Sequence, residues 1–256
     1  MPTLIQLEVF MLILARISGM MVRAPVISDR GTPAIARMAL AIFLSVILWF
    51  IIPLPPRLPA LGILFMVALV NEVIFGVLIS FVAFLATSLF QSAGEIMDLQ
   101  MGLSISKTLD PAFGTEISLV GRLTYMYGLL LFLLVNGHHL MLSALNTSFS
   151  LFPLAGVFNY SQGFLQQMIG FVSALWLLSI QLAAPVVLMI FLADFSFGMI
   201  SRVAPQVNVF QLGFQIKPLL GIFVFLAVLP LFTNRLITLI YQLLPQYLTL
   251  FGLMLR

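Results

Sequence analysis

The chain has no cysteine, which excludes disulfides, thiolate nucleophiles and Cys-ligated metal centres. Charge is nearly as scarce. Only 7% of the 256 residues are Asp, Glu, Lys or Arg, against about a quarter in a soluble domain, and residues 123–193 hold none. With 62% hydrophobic residues and a mean hydropathy of +1.20, the chain is predicted to lie in a bilayer. Its pI of about 9.6 rests on a net charge of +3, too few and too scattered to form the basic stripe of a nucleic-acid binder. That excess is read instead as a topology signal. A basic n-region and an A-x-A cleavage site are also missing, so the first apolar run is expected to be a retained span.

Six apolar runs are present, at 4–22, 34–54, 60–93, 117–135, 164–193 and 218–244. Backbone polar groups in lipid must be satisfied within their own segment, so runs of this length are predicted to be helices. Turn chemistry separates them: Pro25 to Pro33, "PLPPRLP" at 53–59, "DPAFG" at 110–114 and "NGHH" at 136–139. The run 60–93 is longer than the ~20 residues a span needs, so it must protrude or bend near Gly76 or Ser80. Pro185 and Pro218 predict kinks or helix starts. Arginines recur at 16, 23, 30 and 37, but Pro25, Gly31 and Pro33 break a common helix face and favour a basic loop. The loops bearing Arg23, Arg30, Lys107, Arg202 and Lys217 are then cytoplasmic, with the N-terminus on the far side.

Glu72 lies inside the third run, where an ionised carboxylate costs about 2.5–3.5 kcal/mol on insertion scales. It is expected to be neutral, paired or facing water. If neutral, Glu72→Gln should leave assembly largely intact. His138 and His139 are adjacent, and neighbouring residues project about 100° apart on a helix, so one metal ion rarely takes both; an interfacial Asn-Gly turn is the expectation. Ser18 and Ser92 lack a His/Asp partner pattern, and an enzyme is not expected. Ser80, Thr87, Ser92 and Gln181 point to helix association.

Two polar islands interrupt the apolar background. One, 93–116, holds Glu95, Asp98, Lys107, Asp110 and Glu116 among Met97, Met101 and Phe113. It reads as a solvated loop, or as an adaptable segment able to lie across a passage and move aside. The other, 194–217, places Asp194, Arg202, Lys217 and the amides Gln206, Asn208, Gln211 and Gln215 between apolar stretches.

The stretches "AGEIMDLQMGLS", "LDP", "FLLVNGHHLMLSAL" and "GMISRVAPQVNVFQLGF" occur in the order found in the FliR family of flagellar export-gate proteins, the counterparts of the T subunit of virulence type III secretion systems. The chain resembles that family over nearly its whole length. The resemblance implies an all-α membrane protein of about six long apolar helices, some kinked or arranged as hairpins, folded within a hetero-oligomeric export gate. It implies a first part, 1–160, similar to a P subunit and a second, 161–256, similar to a Q subunit, with no soluble domain. One copy would close a staggered ring with FliP and FliQ type subunits at the bacterial inner membrane, at the base of the flagellar basal body. The export-switch membrane subunit (FlhB type), exported flagellar proteins and membrane lipid are the other implied partners; no nucleic acid, cofactor or metal is implied. By the same resemblance, 101–116, with Met101, Gly102, Leu103, Leu109, Asp110, Pro111 and Phe113, corresponds to an internal channel plug. Asp194, Arg202, Pro205, Gln206, Asn208 and Gly213 correspond to the hairpin turn and partner contact. The competing readings are a secondary transporter of a small solute or ion, for which Glu72 is the one plausible intramembrane ligand, and a structural membrane anchor.

Overall fold

A computed structural model of the chain describes residues 4–29, 31–53, 58–59, 62–104, 118–156 and 162–243. These residues are helical or in turns, without strands. We number the helices α1 (Leu4–Met21), α2 (Ala34–Ile51), α3 (Ile63–Met101), α4 (Leu119–Leu134), α5 (Gly137–Leu151), α6 (Gln162–Val203) and α7 (Val209–Thr238), the last running on into a π-turn, Leu239–Leu243. Among the described residues five helices are long and apolar enough to cross a membrane, and α4 with α5, bent by 66°, has the length and composition of a broken span or a re-entrant loop. The protein is therefore an all-α membrane protein.

α3 is a single helix of 39 residues, about twice what the hydrocarbon core needs. Pro185 sits within α6, and Pro218 and Pro230 within α7, without ending either helix. The break at 136–137 divides its work between two residues. Asn136 takes the left-handed conformation (φ 58), which Asn tolerates better than most side chains. A Cβ on Gly137 would press on the Phe132 ring at 2.5 Å, so glycine is needed there for space.

α5 has no counterpart among the six apolar runs. Its serines and threonines weaken the hydropathy signal, yet they bond back to the helix itself: Thr147 to the Ser143 carbonyl (2.9 Å), Ser148 to Leu145 (2.6 Å) and Ser150 to Thr147 (2.7 Å). A hydroxyl satisfied by the preceding turn is tolerated in an apolar helix.

Two compact units interleave along the chain. The first comprises residues 1–85, 132–170 and 239–256, the second 86–131 and 171–238. The first has a core built from Leu12, Ile13, Ile17 and Met20 of α1, Phe75 and Ile79 of α3, and Met141, Leu145 and Phe149 of α5. Here α1 and α3 meet backbone to backbone, since a Cβ on Gly76 would fall on the Arg16 carbonyl oxygen and one on Gly19 on that of Val73. In the second unit a Cβ on Gly94 would strike Thr124 and Gly121, so α3 and α4 approach equally closely. Its core includes Phe90, Met97, Phe171, Val186 and Phe232, with Phe90 and Phe232 in ring contact (centroids 5.6 Å apart). α2 buries only Ala41 and Ser45 and leaves Ile35, Phe43 and Phe50 exposed; an apolar face of this kind suits lipid or another membrane helix.

Candidate functional sites

The first site lies in the second unit, where α3 ends. Gly102 is left-handed (φ 79); its N–H donates to the Leu99 carbonyl, and the Leu103 N–H reaches back to Asp98, both at 3.2 Å. This pair of bonds is a Schellman stop, which satisfies carbonyls a helix end would otherwise leave open. Asp98 is buried, and its carboxylate also accepts the Val120 N–H (3.3 Å) at the start of α4. Ser118 caps that same helix through Gly121 N–H at 2.8 Å. The segment 101–116 thus leaves the described structure from a firmly terminated helix. Of its predicted plug residues, Met101, Gly102 and Leu103 are described; Leu109, Asp110, Pro111 and Phe113 lie outside the described residues.

The second polar island folds as a hairpin tip shorter than expected. α6 continues to Val203 and α7 begins at Val209, so the turn is 204–208. Pro205, Gln206 and Asn208 belong to it. Asp194 and Arg202 are on α6 instead, and Gly213 is inside α7 rather than in the turn. The reason is local: the Ala204 N–H still bonds to the Ile200 carbonyl at 2.8 Å, and Asn208 Oδ1 accepts the Gln211 N–H at 3.2 Å as an N-cap. Lys217, on α7, forms an ion pair with Asp194 across the hairpin.

These two islands, far apart in sequence, share one cleft of about 350 Å³ whose lining includes Met101, Gly102, Asp194, Phe197, Gly213 and Lys217. Met101 is fully buried, its thioether set against Gly221 of α7, where a Cβ would come within 2.5 Å. The cleft is apolar with one charge pair at its edge.

The second site is in the first unit. Glu72 is paired: Arg16 Nε donates to its Oε2 at 2.5 Å, and both side chains are buried. Arg16, which falls inside the first apolar run, is on α1 and is the largest fully buried side chain among the described residues. Its other nitrogens donate to Ser148 Oγ (3.2 Å) and the Phe152 carbonyl (3.0 Å). Glu72 Oε1 accepts the Ala155 N–H at 3.0 Å. Phe149 (4.2 Å) and Phe75 (4.9 Å) face the guanidinium, while Phe75 stacks on Phe152 (4.6 Å). The pair is neutral as a whole and its polar atoms are bonded, which is what permits burial of two charges. Sequence spacing could not reveal it, because the partners lie 56 positions apart. It also removes the premise that Glu72→Gln would be benign: a glutamine has one acceptor oxygen where two donors, Arg16 and Ala155, must be met.

His138 and His139, in the first turn of α5, are in tilted ring contact, centroids 4.2 Å apart. Among the described residues no group of three metal-ligating side chains converges.

Comparison with known proteins agrees with this architecture. Residues 7–243 match the family described as bacterial export proteins, family 1. The flagellar biosynthetic protein FliR of Bacillus subtilis (strain 168) is 34% identical over 210 residues, 81% of each chain. The protein of the same name from Escherichia coli (strain K12) is 30% identical over 238 residues, 91% of this chain and 90% of that one. The surface presentation of antigens protein SpaR of Shigella flexneri is 31% identical over 154 residues, 60% of this chain and 59% of its own. Matched from near its first helix to the π-turn after its last, the chain belongs to family 1 of the bacterial export proteins, the FliR family.

Proposed function

We propose that the protein is a core subunit of the flagellar type III protein export gate, acting without catalysis. With P and Q type subunits it forms the passage by which unfolded flagellar proteins cross the inner membrane. The observation that carries this reading is the family match over residues 7–243, with relatives named for flagellar biosynthesis that are matched over 81% and 90% of their length. Its helices support the same reading: α2 and α7 are long, apolar and little buried within the chain, so they need lipid or neighbouring helices. An FlhB type switch subunit is a further partner.

In this reading the first part, 1–160, takes the place of a P subunit, the second, 161–256, that of a Q subunit, and segment 101–116 serves as the plug. The α6–α7 tip, with Arg202, Pro205, Gln206 and Asn208, is the partner contact. The shared cleft supports a link between plug and hairpin, because the plug's first residues and Asp194 line one surface. A solute transporter would need a free intramembrane ligand, and Glu72 has both oxygens engaged. The test is purification of the tagged chain from flagellated cells in mild detergent. Co-purifying P and Q type subunits, with loss of flagellar protein secretion when the gene is deleted, is the expected result; an isolated chain active in solute uptake overturns the proposal.

A further inference from the structure

Arg16 and Glu72 meet more than each other. Their remaining bonds converge on one stretch of chain. Arg16 takes the Phe152 carbonyl, and Glu72 takes the Ala155 N–H three residues later. The Phe152 carbonyl lies just past the last turn of α5, where helix-end carbonyls lack partners. Ala155 is left-handed (φ 62), a conformation that costs an alanine free energy unless its surroundings hold it there. The guanidinium therefore secures the end of the helix and the carboxylate secures the strained residue after it. Ser148 completes the arrangement: its hydroxyl donates to Leu145 and still accepts from Arg16.

We infer that the buried Arg16–Glu72 pair is a clasp on the turn 152–156, positioning the point at which the P-like part of the chain gives way to the Q-like part. The inference rests on the two-part reading under Proposed function. Any two opposite charges could neutralise one another in a bilayer. Holding both sides of this turn needs more: separate donors projecting from α1 and two acceptor oxygens projecting from α3. α1 and α3 are in turn held at fixed distance by the Gly19 and Gly76 backbone contacts, so the clasp is set in a rigid frame.

A pair that only cancels charge would survive exchange of its partners, whereas a clasp would not. The test uses the full chain co-expressed with P and Q type subunits, purified from membranes, and compares wild type with E72Q, R16K and the exchange R16E/E72R. Amide hydrogen exchange of the peptide covering 148–156 is read by mass spectrometry beside secretion of flagellar proteins. Exchange in that peptide is expected to quicken by about tenfold or more in each variant, with secretion falling in parallel. R16K keeps the charge on α1 and loses only the forked geometry, so it is informative if the exchanged pair does not accumulate. Wild-type protection and secretion in R16E/E72R, or in R16K, would overturn the clasp. Should wild type fail to bind P and Q type subunits, the two-part reading falls by itself, and the exchange rate of the turn in the isolated chain still decides whether the pair holds it.

Discussion

Gly76 and Gly31 show what a missing Cβ is worth in two settings. At Gly76 an added carbon falls on the backbone of α1, which cannot rotate away; at Gly31 nothing lies within 4 Å. Gly76→Val is expected to destabilise the first unit by about 1–3 kcal/mol or more, the range for overpacking a tight contact. Gly31→Ala should be neutral. Chain level in membranes at equal expression distinguishes them, and equal levels would refute the close crossing. The Asp194–Lys217 pair belongs at the other extreme, since its side chains are 42% and 25% exposed. A double-mutant cycle with Asp194→Ala and Lys217→Ala should give a coupling of no more than about 1 kcal/mol. A larger coupling would mean that a partner covers the hairpin at this point.

Among the elements, the α6–α7 hairpin depends on how the chain restarts after Pro205. Asn208 supplies the N-cap of α7, and Asn208→Ala should weaken that start by about 1 kcal/mol. The measurable consequence is faster amide exchange confined to residues 209–212, with the rest of α7 unchanged. Pro218 and Pro230 are tolerated inside α7 because a membrane helix can satisfy the freed carbonyls through neighbouring hydroxyls and local adjustment. Downstream of both prolines, Thr233 ties α7 to Tyr127 of α4 through a 2.7 Å hydrogen bond, and a π-turn follows the helix. The plug reading is also tested at this scale. Deleting 106–113 leaves the Schellman stop at Gly102 and the Ser118 cap in place, so the complex should assemble and leak small ions; normal conductance at normal yield would end that assignment.

At the scale of the whole molecule, exposed apolar surface dominates. Phe43, Phe50, Trp176, Phe191, Phe210 and Phe223 are all more than half exposed, too much for a protein stable in water by itself. Without P and Q type subunits the chain is expected to aggregate or be degraded, and size-exclusion chromatography in mild detergent, with and without them, reads this directly. A long-lived monodisperse monomer would contradict obligatory assembly. Ser80 and Thr87, which suggested helix association, are buried within the chain itself, so part of that association is internal.

Membrane residence, the helical class and six of the seven described helices were legible in the residues, because a bilayer permits few alternatives to a long apolar helix. So was the bend at Asn136-Gly137, where the chemistry of the turn is local. The motifs around 93–104, 132–145 and 198–214 sufficed for the family. Local composition could not show α5, whose hydroxyls hide their self-satisfied bonds, or the true extent of the α6–α7 tip, which is set by a capping residue rather than by the spread of polar side chains. The Arg16–Glu72 network was beyond reach for a stronger reason: its bonds join α1, α3 and the turn after α5, and nothing along the sequence ties the arginine of the first apolar run to the glutamate of the third. Charges are paired through space. Only the folded chain, by setting Gly19 against the Val73 backbone and Gly76 against that of Arg16, decides which carboxylate a buried guanidinium meets.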